Sequence, residues 1–290
     1  MDYLCHVLVL VCIYAILARS LDLLAGHAGL LSISHAAFLG LGAYTSALLA
    51  VHLGAPFLLG VLAGMAVAGA ASFLVSLPSL RLFDDYFIVA TFGFQMILFG
   101  VFNNWTELTY GPLGIPGIPQ PSFFGWRVDS PLRFLGLAAA FTLFGEVVVY
   151  RLASSPFGRV LHAVREDELF AKALGKNTVY FKVTAFAVSA ALAGMAGSLY
   201  AHYITYIDPT SFTVMESILI ISMVTIGGAG SLWGPLVGAV VLVTLPEALR
   251  FIGLPSGVAA NLRQIMYGVL LVVMMMFRPR GLVGKYGFSK

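Results

Sequence analysis

The chain has 290 residues, of which 60% are hydrophobic and only 10% are charged, whereas an ordinary soluble domain is about 25% charged. This composition and a mean hydropathy of +0.95 exclude a soluble globular protein. The net charge of +3 is too small to indicate nucleic-acid binding. Repeated apolar runs match the ~30 Å hydrocarbon core of a bilayer, so we expect an all-α polytopic membrane protein.

Hydropathy predicts about nine transmembrane helices in a single domain that covers residues 1–290. The first apolar run lacks a basic leading region and a small-residue cleavage site, which favours a retained span over a signal peptide. The predicted spans lie at about residues 3–18, 30–52, 55–77, 87–102, 132–150, 183–205, 214–229, 234–250 and 264–277.

Two basic segments predict the orientation of these spans. Six basic residues lie between Arg151 and Lys182, and four more follow the last span: Arg278, Arg280, Lys285 and Lys290. Positive charge is typical of the cytoplasmic side, and an even number of predicted spans separates the two segments. We therefore predict a cytoplasmic loop at residues 152–182, a cytoplasmic C-terminus and an external N-terminus.

The same orientation makes residues 103–131 an external loop. This loop is rich in glycine and proline and is predicted to form turns and short extended pieces without a helix. It contains Trp105 and Trp126. These side chains are either interfacial anchors or part of a docking surface for an external partner.

Two similar glycine-rich stretches interrupt apolar runs: Gly26–Ser32, here called the first break, and Gly227–Trp233, the second break. Irregular backbone at membrane depth is tolerated only where it contacts protein or lines a cavity, so broken or re-entrant helices indicate a transporter pathway. Small residues also recur at four-residue spacing, which predicts close helix packing. They are Gly60, Gly64 and Ala68; Ala190, Gly194 and Ser198; and Gly230, Gly234 and Gly238.

The predicted cytoplasmic segment is expected to form a short amphipathic unit, with two helices joined near Arg165 as one arrangement. A solvated loop with helical tendency is the alternative. Ser155 is placed as an N-cap before Pro156, and Gly175 is a natural helix end. Glu168 and Lys172 have the spacing of an i,i+4 ion pair. An apolar stripe is predicted from Val160, Leu161, Val164 and Leu174.

Polar residues inside spans are candidates for function because they are costly in lipid. Asp22 follows Arg19 by three residues and is predicted to form a local neutralising pair. Glu146 is predicted to reach toward Arg151 and Arg159. Glu216 has no neighbouring base in the sequence and is the main carboxylate candidate for a pathway or gate. The other pathway candidates are Ser32, His35, Thr91, Gln95, Gly227 and Gly228.

Several motifs resemble one family of membrane proteins. The stretch from Glu168 through Ala171 to Gly175 resembles the coupling motif of ABC importer permeases. The flanking sequence SSPFGRVLHAVREDELFAKALG is similar to the LivM-type permeases of branched-chain amino acid importers. Further similar stretches are GHAGLLSISHAAFLGLGAYTSALL, DDYFIVATFGF, ESILIISMVTIGGAGSLWGPLVGAV and FRPRGLVG.

The resemblance implies the fold and the function. The chain would be a non-catalytic permease subunit in a bacterial inner membrane, paired with a homologous second permease, two ABC ATPase subunits and an external solute-binding protein. The ATPases would dock at Arg165, Glu166, Glu168, Ala171 and Gly175, and the binding protein at the external loop. The chain would bind no cofactor and no metal, while the ATPases would bind ATP and Mg²⁺.

Other functions remain open at this stage. The sequence lacks a Walker A pattern, because Lys176 has neither the required glycine spacing nor a following serine or threonine, so ATP hydrolysis by this chain is not expected. Urea or short-amide importers use similar permeases. A proton-coupled secondary transporter, with Glu146 and Glu216 as coupling carboxylates, explains the composition but not the coupling-like helices.

Overall fold

The computed structural model describes residues 2–79, 84–123, 126–250, 256–278 and 281–284. The basic tail residues Arg280, Lys285 and Lys290 lie outside these ranges. Helices form most of the described chain, which confirms the prediction of an all-α polytopic membrane protein. The long helices are α1 (Asp2–Asp22), α2 (His35–Leu53), α3 (Phe57–Ser79), α4 (Asp84–Asn104), α6 (Pro131–Ser154), α9 (Thr178–Ile204), α10 (Val214–Gly227), α11 (Gly234–Arg250) and α12 (Ser256–Phe277).

Short elements complete the described chain. They are the helices α5 (Thr106–Thr109), α7 (Pro156–Glu166) and α8 (Glu168–Ala173), the 3-10 turns Gly111–Leu113 and Pro209–Phe212, and the strands β1 (Ile115–Pro116), β2 (Ser122–Phe123), β3 (Trp126–Arg127) and β4 (Tyr206–Ile207).

Each predicted span overlaps one apolar helix. Among the described residues, six helices are long and apolar enough to cross a membrane: Tyr3–Ala28, α2, α3, α4, α6 and α9. The other three predicted spans coincide with the shorter apolar stretches Val214–Gly227, Gly234–Pro246 and Ile265–Met274.

The first helix is longer than predicted. It does not end near residue 18, because Arg19 and Asp22 pair with each other along the same helix and do not interrupt it. A π-helix follows at Leu23–Ala28 and ends where Gly29 adopts a φ of 72°. Single π turns are frequent at functional sites. The second span begins later than predicted, at His35.

The loop of residues 103–131 combines short elements with one feature that was not expected. Thr106–Thr109 forms a single helical turn, so the prediction that this loop contains no helix is wrong there. Strand β1 pairs antiparallel with β4, with Ile115 opposite Ile207. This pairing places the loop at the same end of the bundle as the C-terminal end of α9. Helices α7 and α8 precede α9 and lie at the other end.

Glycine contacts explain how the core packs so closely. A Cβ atom at Gly42 in α2 would lie 2.0 Å from the carbonyl oxygen of Gly194 in α9. A Cβ atom at Gly194 would lie 2.6 Å from the carbonyl oxygen of Gly64 in α3. Only residues without a larger side chain allow these backbones to approach so closely. The predicted small-residue interfaces therefore hold α2, α3 and α9 together.

Candidate functional site

The two predicted helix breaks meet in space. The first break follows the π-helix, and the second begins at the end of α10, where Gly228 and Gly230 adopt φ values of 109° and 74°. A Cβ atom at Gly26 would lie 2.4 Å from the backbone nitrogen of Gly230. The breaks are therefore in direct contact, and glycine at position 26 is required by this approach.

Two charged side chains tie the breaks together. Asp22 is fully buried, and its Oδ1 accepts a hydrogen bond of 2.6 Å from the backbone N–H of Gly230. Arg19 donates from one terminal nitrogen to Asp22 Oδ2 and to the carbonyl oxygen of Ser231, both at 2.9 Å. The predicted local pair between Arg19 and Asp22 is confirmed, and it also links α1 to the second break.

Glu146 joins this pair and completes what we call the charge trio, Arg19, Asp22 and Glu146. Its Oε2 lies 3.0 Å from Arg19 Nε, and the side chain is only 17% exposed. The Arg19 Nε–H forms no hydrogen bond with any described residue. This contact is therefore an ion pair in which the N–H is not aligned with the carboxylate. The prediction that Glu146 reaches toward Arg151 and Arg159 is wrong, because α6 packs along α1 and turns position 146 toward Arg19.

The C-terminal segment also contacts the second break. The backbone N–H groups of Leu282 and Val283 donate to the carbonyl oxygens of Ile226 and Gly227, at 2.8 and 3.0 Å. These carbonyl groups belong to the last turn of α10, where no intrahelical donor is available. The pathway candidates Gly227 and Gly228 therefore lie in a junction of α10, α11 and the C-terminal segment.

Helix α7 contacts the first break. The guanidinium of Arg165 donates a hydrogen bond to the carbonyl oxygen of Gly26, and its side-chain stem packs on Gly29. His162 and His27 are joined by a hydrogen bond of 3.0 Å between their rings. Helix α7 is therefore in direct contact with the first break.

The predicted N-cap Ser155 and the predicted helix end at Gly175 are confirmed. Ser155 accepts a hydrogen bond from the N–H of Gly158 at the start of α7, and α7 ends at Glu166. Asp167 caps α8 by accepting from the N–H of Phe170 at 2.9 Å. Gly175, with a φ of 76°, follows α8. The segment therefore forms two helices joined at Asp167, close to Arg165 as expected.

Glu168 is the centre of a polar cluster between α8 and α9. It lies 3.1 Å from Lys172, which confirms the predicted ion pair, and accepts hydrogen bonds from Lys182 at 2.7 Å and Thr178 at 2.8 Å. Burial alone would raise the pKa of Glu168, but these hydrogen bonds outweigh it and lower the pKa to about 2. The carboxylate therefore stays ionised and fixes α8 on the start of α9.

An apolar surface lies beside this cluster. Leu174, the last residue of the predicted apolar stripe, is 63% exposed, because α8 ends before it. Leu161 and Val164 are buried as expected, and Ala171 is buried in α8, whereas Glu166 is exposed. We call the exposed apolar side chains of this region the coupling surface: Leu169, Phe170, Leu174 and Tyr180.

Two of the predicted pathway residues cap the N-terminus of α2. Gln95 in α4 accepts a hydrogen bond of 2.7 Å from the N–H of Ala37 and donates one of 2.8 Å to the carbonyl oxygen of Phe212. Thr91 accepts from the N–H of Ile33 at 3.1 Å. Both side chains satisfy backbone groups that a broken helix exposes. Contact of these residues with a cargo stays a prediction.

The remaining polar candidates are buried close by. Ser32 is hydrogen-bonded to Ser34 at 2.9 Å, and His35 Nε2 lies 3.0 Å from the hydroxyl of Ser189. Ser217 donates to Gln95 and accepts from the N–H of Ala36. Sequence reasoning missed Ser189 and Ser217, because a single serine in an apolar helix carries no pattern.

Glu216 lies in the first turn of α10 and accepts a hydrogen bond from the hydroxyl of Tyr14 in α1. Both side chains line a cavity of about 620 Å³ between α1, α10, α11 and α12. The other lining residues are mostly aliphatic. The structure therefore places the main carboxylate candidate at a cavity, as a pathway role requires.

The end of the bundle that carries residues 103–131 holds the docking candidates. Trp105 precedes α5 and is 51% exposed. Trp126 lies in β3, and its side chain is outside the described part of the structure. A second cavity of about 420 Å³ lies below the loop and is lined by Phe57, Pro119 and His202 among others. Docking of a partner at the tryptophans stays a prediction.

Comparison with known proteins assigns the chain to a family. A family model described as branched-chain amino acid transport system / permease component matches residues 3–275. The high-affinity branched-chain amino acid transport system permease protein LivM of Salmonella typhimurium is 37% identical over 295 aligned residues, covering 93% of this chain and 68% of that protein. LivM of Escherichia coli is 36% identical over 294 residues, with the same coverage.

A more distant relative is the probable branched-chain amino acid transport permease protein LivM of Methanocaldococcus jannaschii, which is 27% identical over 221 residues, covering 71% of this chain and 62% of that protein. No solved structure matches the chain. The match across residues 3–275 confirms the resemblance that the motifs indicated. The chain belongs to the family of permease components of branched-chain amino acid transport systems.

Proposed function

We propose that this chain forms half of the translocation pathway of an ABC importer for branched-chain amino acids. A homologous second permease forms the other half, two ATPase subunits supply the energy, and an external solute-binding protein delivers the cargo. This chain binds no cofactor, while the ATPases bind ATP and Mg²⁺. The observation that carries the proposal is the family match across residues 3–275.

The proposed orientation places α7, α8 and both breaks on the cytoplasmic side. The basic residues between Arg151 and Lys182 favour this side. The pairing of β1 with β4 is at the opposite end of α9, which supports an external position for residues 103–131. The N-terminus is then external and the C-terminus cytoplasmic.

The coupling surface is the proposed ATPase contact. Exposed apolar side chains on short helices between membrane spans suit a groove on a soluble partner. Glu168 holds α8 against α9 through Lys182 and Thr178, so the surface is presented on a fixed support.

Movement of the ATPases reaches the pathway through Arg165. This residue connects α7 to the first break through the carbonyl of Gly26, and Asp22 connects that region to the second break through the N–H of Gly230. The second break joins α10 and α11. A shift of α7 on ATP binding is therefore transmitted to α10, which contacts the cavity at Glu216.

The proposal is tested by reconstituting the chain in proteoliposomes with its candidate permease, ATPases and binding protein. Uptake of labelled leucine and labelled urea is measured with ATP inside the vesicles, and separately with an imposed proton gradient. We expect leucine uptake that requires both ATP and the binding protein.

Other outcomes contradict specific parts of the proposal. ATP-dependent uptake of urea but not leucine would reject the cargo class while retaining the importer. Uptake driven by the proton gradient alone would reject the ABC importer in favour of a secondary transporter. Leu169→Asp places a charge on the coupling surface and should abolish ATPase binding, whereas Leu113→Asp, at an exposed position in the loop at the other end of the bundle, should not.

A further inference from the structure

The cavity between α1, α10, α11 and α12 contains one carboxylate in an aliphatic setting. Glu216 lies near its outer end, in the first turn of α10. Leu219 follows one turn deeper, and Leu242 and Leu271 approach from α11 and α12. The cavity volume of about 620 Å³ falls within the range of ~300–1,000 Å³ that is typical of small-molecule sites.

Glu216 has a hydrogen-bond donor but no cation. Tyr14 donates to its Oε1, and none of the ion pairs among the described residues includes Glu216. An acidic residue in a first helical turn often interacts with the N-terminus of its own helix. The side chain of Glu216 instead extends across to α1, where Tyr14 holds it at the cavity.

The mouth of the cavity lies between α10 and α12. Met215 and Ile218 on α10 and Val272 on α12 line the cavity and are exposed. If this face met lipid, Glu216 would lie beside hydrocarbon, which is costly for a carboxylate. A face that meets the pathway avoids this cost, because water and cargo then reach Glu216.

We propose that this cavity is a weak binding site on the pathway for an aliphatic amino acid, whose ammonium group binds Glu216 and whose side chain contacts Leu219, Leu242 and Leu271. The assignment rests on the proposed function for the identity of the cargo. Tyr14 is a positioning residue, because its hydroxyl fixes the carboxylate without contacting the cargo.

The side chains that line the cavity explain which ligands it selects. An ionic hydrogen bond to an ammonium group contributes about 1.5–3 kcal/mol, which corresponds to roughly 10-fold to 150-fold in affinity. A desamino analogue with the same aliphatic group lacks the ammonium group that binds Glu216. An amine that lacks the α-carboxylate keeps both contacts and should still bind.

The test uses the purified permease–ATPase complex without binding protein, in nanodiscs of phosphatidylglycerol. Binding of labelled leucine is measured with 3-methylbutylamine and 4-methylpentanoate as competitors. We expect the amine to compete and the acid to fail. Glu216→Gln should weaken leucine binding about 10-fold or more and remove the preference for the amine. Tyr14→Phe should weaken binding less and preserve the preference.

The matched control is Glu107→Gln, at an exposed position in α5, which should leave binding unchanged. Unaltered binding and preference in Glu216→Gln would overturn the inference even if the wild-type importer takes up leucine. Loss of leucine binding on adding phosphatidylethanolamine would overturn it by identifying a lipid amine as the occupant. Failure of the wild-type complex to import any aliphatic amino acid would instead reject the proposed function.

Discussion

The sharpest prediction compares two neutralising substitutions in the charge trio. Asp22→Asn and Glu146→Gln each remove one negative charge, and each leaves Arg19 with one carboxylate. Asp22 also accepts the N–H of Gly230 in the second break, whereas Glu146 contacts only Arg19 among the described residues. The two variants therefore remove the same charge, but only Asp22→Asn changes a side chain that is hydrogen-bonded to Arg19 and to the second break.

The expected magnitudes differ between the variants. In Asp22→Asn, the amide oxygen can still accept from Gly230, but the amide nitrogen then faces Arg19 and cannot accept its hydrogen bond. Loss of one ionic hydrogen bond costs about 1–3 kcal/mol, which corresponds to roughly 5-fold to 150-fold in coupling. Glu146→Gln loses an ion pair in which the N–H is not aligned with the carboxylate. We expect the coupling free energy to fall by about 0.6 kcal/mol or less, the average for polar contacts between membrane helices.

The assay measures leucine uptake and ATP hydrolysis in the same proteoliposomes. Asp22→Asn should retain ATP hydrolysis and lower the number of leucine molecules imported per ATP by about 5-fold or more. Glu146→Gln should lower this ratio by about threefold at most. Thermal denaturation in detergent checks that both variants are folded.

Two results would refute the reasoning. An equal loss of coupling in both variants would show that net charge matters and the hydrogen bond from Arg19 to Asp22 does not. An unchanged ratio in Asp22→Asn would show that this hydrogen bond does not contribute to the transmission of movement between the coupling surface and α10.

The remaining predictions concern the two ends of the bundle and its core. Glu168→Arg or Gly175→Pro should abolish copurification of the ATPases while the chain stays in the membrane. Because the pKa of Glu168 is lowered to about 2 from 4.5, its stabilising effect is complete above about pH 4.5 and is lost as the pH falls toward 2. Thermal midpoints of the wild type and Glu168→Gln should therefore converge only in this range. Trp105→Ala with Trp126→Ala should weaken stimulation of ATP hydrolysis by the binding protein. Gly197→Ala should lower thermal stability markedly, because the new Cβ would lie 1.9 Å from a backbone oxygen of α2.

The controls for these variants use positions without the relevant contacts. Gly136→Ala in α6 adds a Cβ atom where no other atom lies within 4 Å, so it should preserve stability where Gly197→Ala does not. Normal copurification of the ATPases with Glu168→Arg would contradict the coupling assignment. Unchanged stimulation in the double tryptophan variant would leave Trp105 and Trp126 as interfacial anchors.

Local patterns predicted much of the fold. Apolar runs located the spans, and side chains with capping preference located the ends of α7 and α8 at Ser155 and Gly175. The pairs Arg19–Asp22 and Glu168–Lys172 followed from helical spacing alone. All of these features depend on residues within a few positions of one another, which is the range over which sequence spacing determines contact.

Contacts between distant residues could not be predicted in this way. Glu146 pairs with Arg19 and Glu216 with Tyr14, and in each case the partner is on a helix far along the chain. Which face of α6 or α10 meets α1 is decided by the packing of the whole bundle. The exposure of Leu174 was also not predicted by the apolar pattern. It depends on where α8 ends, because the helix stops before Leu174.

The two breaks combine local features that the sequence predicts with contacts between distant residues that it does not. Their similar sequences predicted similar interruptions, and each contains glycine with positive φ, such as Gly29 and Gly230. The two breaks are in direct contact at Gly26 and Gly230, and Asp22 and Arg19 in α1 add hydrogen bonds to the second break. Because Arg165 donates to the first break, a movement of α7 reaches α10 through the packing of Gly26 on Gly230 and through these hydrogen bonds together. Loss of the Arg19–Asp22 hydrogen bond should therefore weaken coupling while both helix ends remain intact.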